Sequence, residues 1–297
     1  MSSAYPEDLQ NKVQSEADIS VSWVKDNRLI CSGNKTKLIV IGTKELRKSR
    51  LEDPNQTLSV NVDGHVVRES SCENLLGMII NNNLTWHNHL HGDRSNKGLL
   101  SKLSQRAGLI RRLSHFMPQE RLKIISNGIF FSLLSYGLPV YGSVSGLFRY
   151  LDGPERLQAL CRDDSHQIQV LMNIILRAIT KLPVETPIKD LLKQSGFMSF
   201  HQICAYSTLK LTHKIQINKT PLVLYNRIFE DGQRINRPRR QNSAQTKFRL
   251  SVSRESFVSQ ASKLFFCLPE DIQSPTSQYL FKSKARAWVE ANIPIYM

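Results

Sequence analysis

The chain has 297 residues, of which 40% are hydrophobic and 22% are charged, a composition typical of globular proteins and not of disordered ones. No apolar run reaches about 18 residues, and the first residues lack the basic and apolar regions of a secretory signal, so neither a membrane span nor secretion is expected. The 40 Lys and Arg against 25 Asp and Glu give a formal net charge of +15, which favours a polyanionic partner.

The cysteines are scattered and form no C-x-x-C pair. This spacing argues against a zinc ribbon and against a disulfide framework, and it fits a reducing compartment. We therefore expect an intracellular protein, nuclear or cytoplasmic, with ordinary partly buried thiols. The five cysteines are Cys31, Cys72, Cys161, Cys204 and Cys267.

Positive charge is concentrated in two stretches of the chain. Residues 93–135 hold 8 basic and 2 acidic side chains, and residues 201–297 hold 15 basic and 6 acidic side chains. By contrast, residues 1–92 hold 10 basic and 11 acidic side chains. Such local excess is expected of surfaces that follow the phosphates of a nucleic acid.

The first part of the chain predicts one helix followed by strands. Residues 7–26 have apolar residues at three- and four-residue steps, which predicts an amphipathic helix. Asp63-Gly64 between two β-rich runs predicts a tight hairpin. The predicted strands are Arg28–Cys31, Lys37–Ile41, Leu58–Val62, His65–Arg68 and Leu75–Ile80.

From His89 onward the pattern predicts helices almost throughout. A stripe from Leu99 to Leu113 predicts an amphipathic helix surrounded by basic residues, and Arg121–Leu134 predicts a buried helix that begins near Pro118. Tyr136-Gly137 predicts a break. Further helices are predicted at 155–182, 187–195, 199–217, 221–229, 254–267 and 277–291. The predicted fold class is therefore α+β, with a small β region followed by a mostly α-helical remainder.

Two groups of basic residues are candidates for nucleic-acid binding. The first surrounds the helix predicted at Leu99–Leu113, and the second lies in residues 231–250, a polar, basic stretch that predicts a mobile linker. Phosphate contacts of this kind give affinity without sequence preference. The candidates are Lys97, Lys102, Arg106, Arg111, Arg112, Arg237, Arg239 and Arg240.

An ordered set of motifs resembles one family over nearly the whole chain. A helix ending in Trp is followed by a Lys-Thr pair, a Leu-Gly turn, a Leu-Thr-Trp-x-x-His phrase and a Tyr-Gly dipeptide. The matching residues are Trp23, Lys35, Thr36, Leu76, Gly77, Trp86, His89, Tyr136 and Gly137. The segments Arg177–Pro183, Thr186–Ser199 and Ser256–Trp288 are similar to the later motifs. Together they resemble the carboxy-terminal part of the reverse transcriptases of non-LTR (LINE-type) retrotransposons.

The resemblance implies a division of the chain into regions. Residues 1–86 would be a partial palm with the primer-grip hairpin, and residues 87–150 the thumb-like helices. Residues 151–230 would form a helical carboxy-terminal extension, followed by the basic linker 231–250 and a last helical segment, 251–297. It also gives Lys35 a candidate role beside the nucleotide, with a solvated hairpin lysine as the alternative.

The family polymerises DNA with Mg²⁺ ions held by aspartates of an Asp-Asp hairpin. That hairpin precedes the first helix in the family and is not among these residues, so we expect no catalytic residue, no cofactor and no polymerase activity in the chain alone. The pair Asp163-Asp164 lacks the apolar flanks of a palm hairpin. The cluster His87-Asn88-His89-His91 is interpreted as the start of a helix and not as a nuclease or zinc site.

Two functions from different classes remain. The first is a truncated reverse-transcriptase remnant that binds RNA, DNA or their hybrid. The second is a domesticated helical module that binds proteins or nucleic acid. If the β region lacks the rest of a palm sheet, apolar residues should be poorly covered. The residues expected to be uncovered are Trp23, Leu38, Val40, Leu75 and Ile79.

Overall fold

A computed structural model describes residues 6–42, 57–93, 96–142, 162–230, 257–274 and 277–295. The chain divides into two compact units, Met1–Asp93 and Arg94–Met297. The described strands lie in the first unit, and the described part of the second unit is helical. The predicted α+β class, with a small β region and a mostly helical remainder, is confirmed.

The amino-terminal unit begins with the predicted helix, α1, which spans Pro6–Asp26. A three-stranded sheet follows, with strand order β1-β3-β2. Strands β2 and β3 are antiparallel and joined by Asp63-Gly64, as predicted, whereas β1 runs parallel to β3. The strands are β1 (Leu38–Ile39), β2 (Ser59–Val62) and β3 (His65–Ser70).

One face of this sheet packs against α1. The side chains of Val60, Val62 and Val67 are buried, and Val13 and Ala17 of the helix pack against them. Residues four apart on a helix share a face, and alternate residues of a strand share a side. The apolar face of α1 therefore packs against the apolar side of the sheet. Full burial of each valine contributes about 1.5–3 kcal/mol to folding.

Helix α1 also satisfies hydrogen-bonding groups at the outer edge of β2. The side-chain amide of Gln14 donates to the carbonyl oxygen of Asn61 at 2.9 Å and accepts from its backbone N–H at 2.9 Å. One turn earlier, Gln10 donates to the carbonyl oxygen of Ser59. An edge strand with unpaired groups favours aggregation, and these two side chains occupy part of that edge.

A separate two-stranded sheet completes the amino-terminal unit. Strands β4 and β5 form an antiparallel hairpin, and α2 packs against β5. The single strand predicted at Leu75–Ile80 is wrong, because Leu76-Gly77 forms a turn within it. The strand predicted at Arg28–Cys31 is also wrong, since this segment is a loop that begins with Arg28 at φ +57°. The elements are β4 (Cys72–Leu75), β5 (Met78–Asn81) and α2 (His87–His91).

The carboxy-terminal unit consists of helices close to the predicted ranges. The helix α3 spans Leu99–Leu113, and α4 (Gln119–Ser126) continues through a π turn at Asn127–Phe131 into α5 (Ser132–Ser135). After the predicted break at Tyr136-Gly137 the chain forms α6. The remaining elements are α6 (Leu138–Tyr141), α7 (Arg162–Thr180), α8 (Ile188–Ser195), α9 (Phe200–Asn218), α10 (Leu222–Tyr225) with a π turn at Asn226–Glu230, α11 (Phe257–Phe266), α12 (Glu270–Gln273) and α13 (Gln278–Asn292).

Helix α9 lies at the centre of this unit. It contacts α6, α7, α11 and α13, and buried residues occur on all its sides, which is the pattern of a core helix. Its start is defined by a capping box in which the Ser199 hydroxyl accepts from the N–H of Gln202 and the Gln202 side chain accepts from the N–H of Ser199. Thr208 and Thr212 donate their hydroxyl groups to carbonyl oxygens one turn earlier.

The expected gaps in coverage are found at some residues and not at others. Trp23 and Leu75 are exposed by 61% and 59%, as predicted. Leu38 and Val40 are half-buried. Ile79 is only 4% exposed, so that prediction is wrong: the hairpin turn and α2 give this side chain a cover that the sequence pattern did not reveal. Within the described ranges, no helix is both long and apolar enough to cross a membrane.

Candidate nucleic-acid interface

Helix α3 carries most of the predicted phosphate-binding residues. Its buried stripe packs against α7, α4 and α5 of the same unit, so the backbone of the helix is firmly placed. The stripe covers positions separated by three and four residues, which leaves the rest of the circumference to polar side chains. The buried residues are Leu99, Leu100, Leu103, Ala107 and Ile110.

The basic residues of this region do not form one patch. Lys97 precedes the helix and is exposed. At roughly 100° per residue, Lys102 lies on one flank of the buried stripe and Arg111 on the other, with Arg112 opposite the stripe. All three are exposed, and no ion pair within the described ranges involves them. Arg111 and Arg112 in the last turn also suit the negative end of the helix dipole.

Arg106 differs from the other candidates. Its side chain is half-buried, and its guanidinium donates a hydrogen bond to the carbonyl oxygen of Ile129 in the π turn. A guanidinium that donates to the backbone in this way mainly stabilises the contact between α3 and the π turn. The structure therefore separates Arg106 from the exposed cations Lys97, Lys102, Arg111 and Arg112. The other candidates, Arg237, Arg239 and Arg240, lie outside the described residues.

The Leu76-Gly77 motif forms the tip of the β4–β5 hairpin. Both residues have positive φ angles, +51° at Leu76 and +83° at Gly77, as a two-residue type I′ turn requires. The N–H of Gly77 donates to the side-chain oxygen of Asn74 at 2.9 Å. Leu76 is 82% exposed, so a large apolar side chain is held at the end of a rigid turn.

Trp86 and His89 help to fix α2 on the hairpin. Trp86 is the residue before the helix and meets the ring of His89 edge to face, with 6.3 Å between centroids. His89 is buried, and its Nδ1 accepts a hydrogen bond from the N–H of Ile79 in β5 at 3.3 Å. The family-motif residues here are thus structural contacts of the hairpin.

Sequence reasoning missed the part played by Asn81. The three consecutive asparagines at 81–83 predicted only the end of a strand. In the structure the Asn81 side chain accepts from the N–H of Thr85 at 2.8 Å and donates to the Thr85 hydroxyl at 2.7 Å. It also donates to the side-chain oxygen of Asn88 at 3.3 Å. The signal available was the asparagine itself, a residue whose side chain often bonds nearby backbone groups in turns.

The remaining motif residues lie apart from one another. Trp23 is exposed near the end of α1. Lys35 is exposed in a 3-10 turn, and Thr36, just after it, donates its hydroxyl to the carbonyl oxygen of Ser32 at 3.0 Å. In the carboxy-terminal unit, Tyr136 is half exposed and Gly137 takes a left-handed conformation, φ +67°, before α6.

Within the described ranges, no group of three or more His, Cys, Asp or Glu side chains could hold a metal ion. Asp163 and Asp164 lie in the first turn of α7, where Asp163 is exposed and Asp164 buried. The helix dipole favours carboxylates in the first turn of a helix, and this is a sufficient reason for two aspartates at this position.

In comparisons with known proteins, no family model matches the chain, and no curated protein or solved structure is significantly similar to it.

Proposed function

We propose that this chain is the carboxy-terminal part of a non-LTR retrotransposon reverse transcriptase, a remnant without polymerase activity alone that binds RNA, DNA or an RNA–DNA hybrid. The observation that carries the proposal is the order of elements: a helix with Trp23, a sheet, a rigid hairpin with Leu76-Gly77 at its tip, and then a basic helix. This order is that of the end of a palm, a primer grip and the start of a thumb.

The geometry of the hairpin supports this assignment. A primer grip must hold a strand end in a fixed place, and a free two-stranded hairpin is only marginally stable in water. Here α2 packs on β5, and the contacts of His89 and Asn81 fasten the two elements together. The tip is thus held by more than its own two strands.

The exposed side of α1 gives a second line of support. Ile19 and Trp23 lie four residues apart on the same side, and each is 61% exposed. Side chains of this size next to one another mark a surface that another element covers. In the proposed family, the rest of the palm would be that element.

Binding would depend on the exposed cations of the second unit. Lys102 and Arg111 flank the buried stripe of α3 on its two sides, and Arg112 lies opposite the stripe. Their backbone positions are fixed by the packed helix, while their charged groups remain in water. Contacts of such groups with phosphates release counterions, and the affinity therefore falls steeply as salt rises.

The test is the salt dependence of hybrid binding by the full-length chain. A labelled RNA–DNA hybrid is titrated at several salt concentrations with the wild type and with the triple variant K102Q/R111Q/R112Q. We expect weaker binding by the variant, and a slope of log affinity against log salt that is smaller by about one per lost contact.

A triple variant of exposed lysines in α8 and α9, K189Q/K193Q/K214Q, changes the net charge equally and serves as the control. Wild-type affinity and slope are expected for it. If both triple variants bind equally, the α3 cations are not the interface. If the wild type binds no nucleic acid, the alternative of a helical protein-interaction module replaces the proposal.

A further inference from the structure

A cleft of about 290 Å³ opens among the helices of the carboxy-terminal unit. Three cationic side chains line it: Lys123 of α4, Lys210 of α9 and Arg286 of α13. Among the described residues that line it, none is a carboxylate. We name it the three-cation cleft. None of its cations belongs to the group on α3, and positions so distant along the chain gave no sequence pattern.

Lys210 is the least compensated of the three. Its side chain is half-buried, and no ion pair within the described ranges involves it. Its Nζ lies 4.8 Å from the centroid of the Tyr206 ring. Burial, and then the positive charge of Lys282, lower the pKa of this amine. Both effects disfavour the charged form of the amine, and the opposite charge of a bound anion would counteract them.

Arg286 is held in a fixed orientation at the same cleft. Its Nη2 donates to the carbonyl oxygen of Gly196 at 2.6 Å, and its Nε pairs with Glu290 at 2.8 Å. Those contacts use only part of the guanidinium fork, which has several further N–H donors. A guanidinium placed in advance in this way binds an anion with little loss of side-chain entropy.

Lys123 supplies the third charge with a weak partner. Its Nζ is 3.5 Å from Glu120, whose side chain is 83% exposed. An ion pair open to solvent contributes little and is easily exchanged for a better one. The Lys123 side chain itself is only 26% exposed, so an anion in the cleft would meet it in a partly desolvated setting.

The rest of the lining combines apolar and aromatic side chains with the small polar side chains of Asn127, Ser135, Ser195 and Ser207. Phe131 of the π turn stacks on Phe197, with 4.6 Å between centroids and a tilt of 16°. Met198 and Tyr206 also line the cleft. The volume lies at the lower end of the range of small-molecule pockets, about 300–1,000 Å³. A duplex is excluded by size, whereas one phosphate with one small ring system is not.

We propose that the three-cation cleft binds a phosphate monoester joined to a small ring, the chemistry of a mononucleotide. The phosphate lies between Lys210, Arg286 and Lys123, and the ring lies along the aromatic side. Such a group can come from a free nucleotide or from the phosphorylated end of a strand. The inference stands apart from the hybrid-binding proposal, because the two sites share no residue.

The test is calorimetric titration of the full-length chain with three probes: adenosine 5′-monophosphate, adenosine and inorganic phosphate. The monophosphate is expected to bind more tightly than either part alone. A competition experiment identifies the source of the phosphate group. One oligonucleotide, in a 5′-phosphorylated and a 5′-hydroxyl form, is tested for its ability to displace the bound monophosphate. Displacement by the phosphorylated strand alone means that strand ends enter the cleft, and displacement by neither strand means a free nucleotide ligand.

Lys210→Met removes the least compensated charge and keeps an apolar stem. We expect it to weaken monophosphate binding about tenfold or more, the loss of a hydrogen bond to a charged group. Lys214→Met, one turn further along α9 and exposed, is the matched control and should bind like the wild type. Thermal melts check that both variants fold, and Lys123→Gln gives a second, milder weakening.

Two results would overturn the proposal. One is a wild-type chain that does not bind the monophosphate. The other is a folded Lys210→Met variant that binds it as tightly as the wild type does. Loss of hybrid binding in the α3 variant has no bearing on this result, because that variant leaves the three-cation cleft intact.

Discussion

The guanidinium of Arg106 in α3 donates a hydrogen bond to the carbonyl oxygen of Ile129 in the π turn. This contact joins two parts of the helical unit that are 23 residues apart in the sequence. It also divides the basic residues of α3 by role, since Lys102, one turn earlier on the same flank, has an exposed side chain.

Replacement of Arg106 should therefore lower stability, and replacement of Lys102 should not. For Arg106→Gln we expect the free energy of unfolding to fall by about 1.5–3 kcal/mol, the contribution of a hydrogen bond from a charged donor. For Lys102→Gln we expect a change within about 0.5 kcal/mol, as at other surface positions. Urea unfolding of both variants measures this, and equal stabilities would contradict the packing role of Arg106.

The tip of the β4–β5 hairpin can be improved by a residue that suits its backbone. Leu76 at φ +51° occupies the same turn position as Asp63 at φ +50° in the β2–β3 hairpin. Asn and Asp tolerate this conformation, whereas Leu is rare there. We expect Leu76→Asn to raise stability by about 0.5–1 kcal/mol.

Leu76→Ala is the control, because it removes the exposed side chain but keeps an unfavourable residue at positive φ. Amide hydrogen exchange of β4 and β5 is the sensitive measurement, since it reports the opening of this hairpin. Faster exchange in Leu76→Asn than in the wild type would show that backbone conformation is not what limits the turn.

Two glycines should respond in opposite directions to substitution by alanine. A Cβ on Gly142 would lie 2.5 Å from Cδ1 of Leu138, 2.8 Å from its carbonyl oxygen and 3.0 Å from Sγ of Cys204. Cys204 is fully buried, and the crowded carbonyl belongs to the backbone of α6. We expect Gly142→Ala to cost about 1–3 kcal/mol, as overpacking does.

Gly108 lies inside α3, and a Cβ there would meet no atom within 4 Å. Gly108→Ala should therefore stabilise the protein by about 0.5–1 kcal/mol, because alanine loses less backbone freedom on folding than glycine does. Chemical unfolding of both variants gives the comparison. The same sign of change in the two would count against the crowding described at Gly142.

Stability should fall in mild acid because of His201. Burial lowers the pKa of this imidazole below its ordinary value of 6.5, and a hydrogen bond with the backbone of Ile295 opposes the shift only in part. The unfolded chain then binds more protons than the folded chain at pH values below 6.5 and above the folded-state pKa. Stability is present above 6.5 and decreases as the pH falls through this window.

The measurement is the free energy of unfolding as a function of pH, for the wild type and for His201→Gln. The variant should show a flatter profile on the acid side of neutrality. His115→Gln, a change at an exposed position after α3, controls for the removal of a histidine. Identical profiles for the wild type and His201→Gln would refute the assignment.

Periodic apolar patterns were enough to predict α1, α3 and most later helices, and Asp63-Gly64 was enough to predict one hairpin. The apolar pattern missed the other hairpin, because it predicted one strand at Leu75–Ile80. Only the family resemblance indicated a turn at Leu76-Gly77, where the backbone is held by strand pairing and by α2. The segment Arg28–Cys31 has a β-rich composition, but it pairs with none of the described strands, so composition alone gave a wrong prediction.

At the candidate sites, features that cluster in the sequence could be predicted, and contacts between residues distant in the sequence could not. The cations on α3 could be predicted because they cluster in the sequence. Their different roles could not, since the acceptor of Arg106 lies on another helix. The three-cation cleft is lined by Lys123, Lys210 and Arg286 from three separate helices, and only the folded structure brings them together.

The π turn at Asn127–Phe131 has a consequence for how relatives of this chain should be aligned with it. A π turn accommodates one more residue than an α-helix does over the same rise, and such turns are uncommon and often found at functional sites. The carbonyl of Ile129, which accepts from Arg106, lies within it, and so does Phe131, one of the two stacked rings that line the cleft. A sequence lacking one residue here would keep the helix but rotate everything beyond it by roughly 100°. A one-residue gap at this point would therefore separate lineages that have the cleft from those that do not.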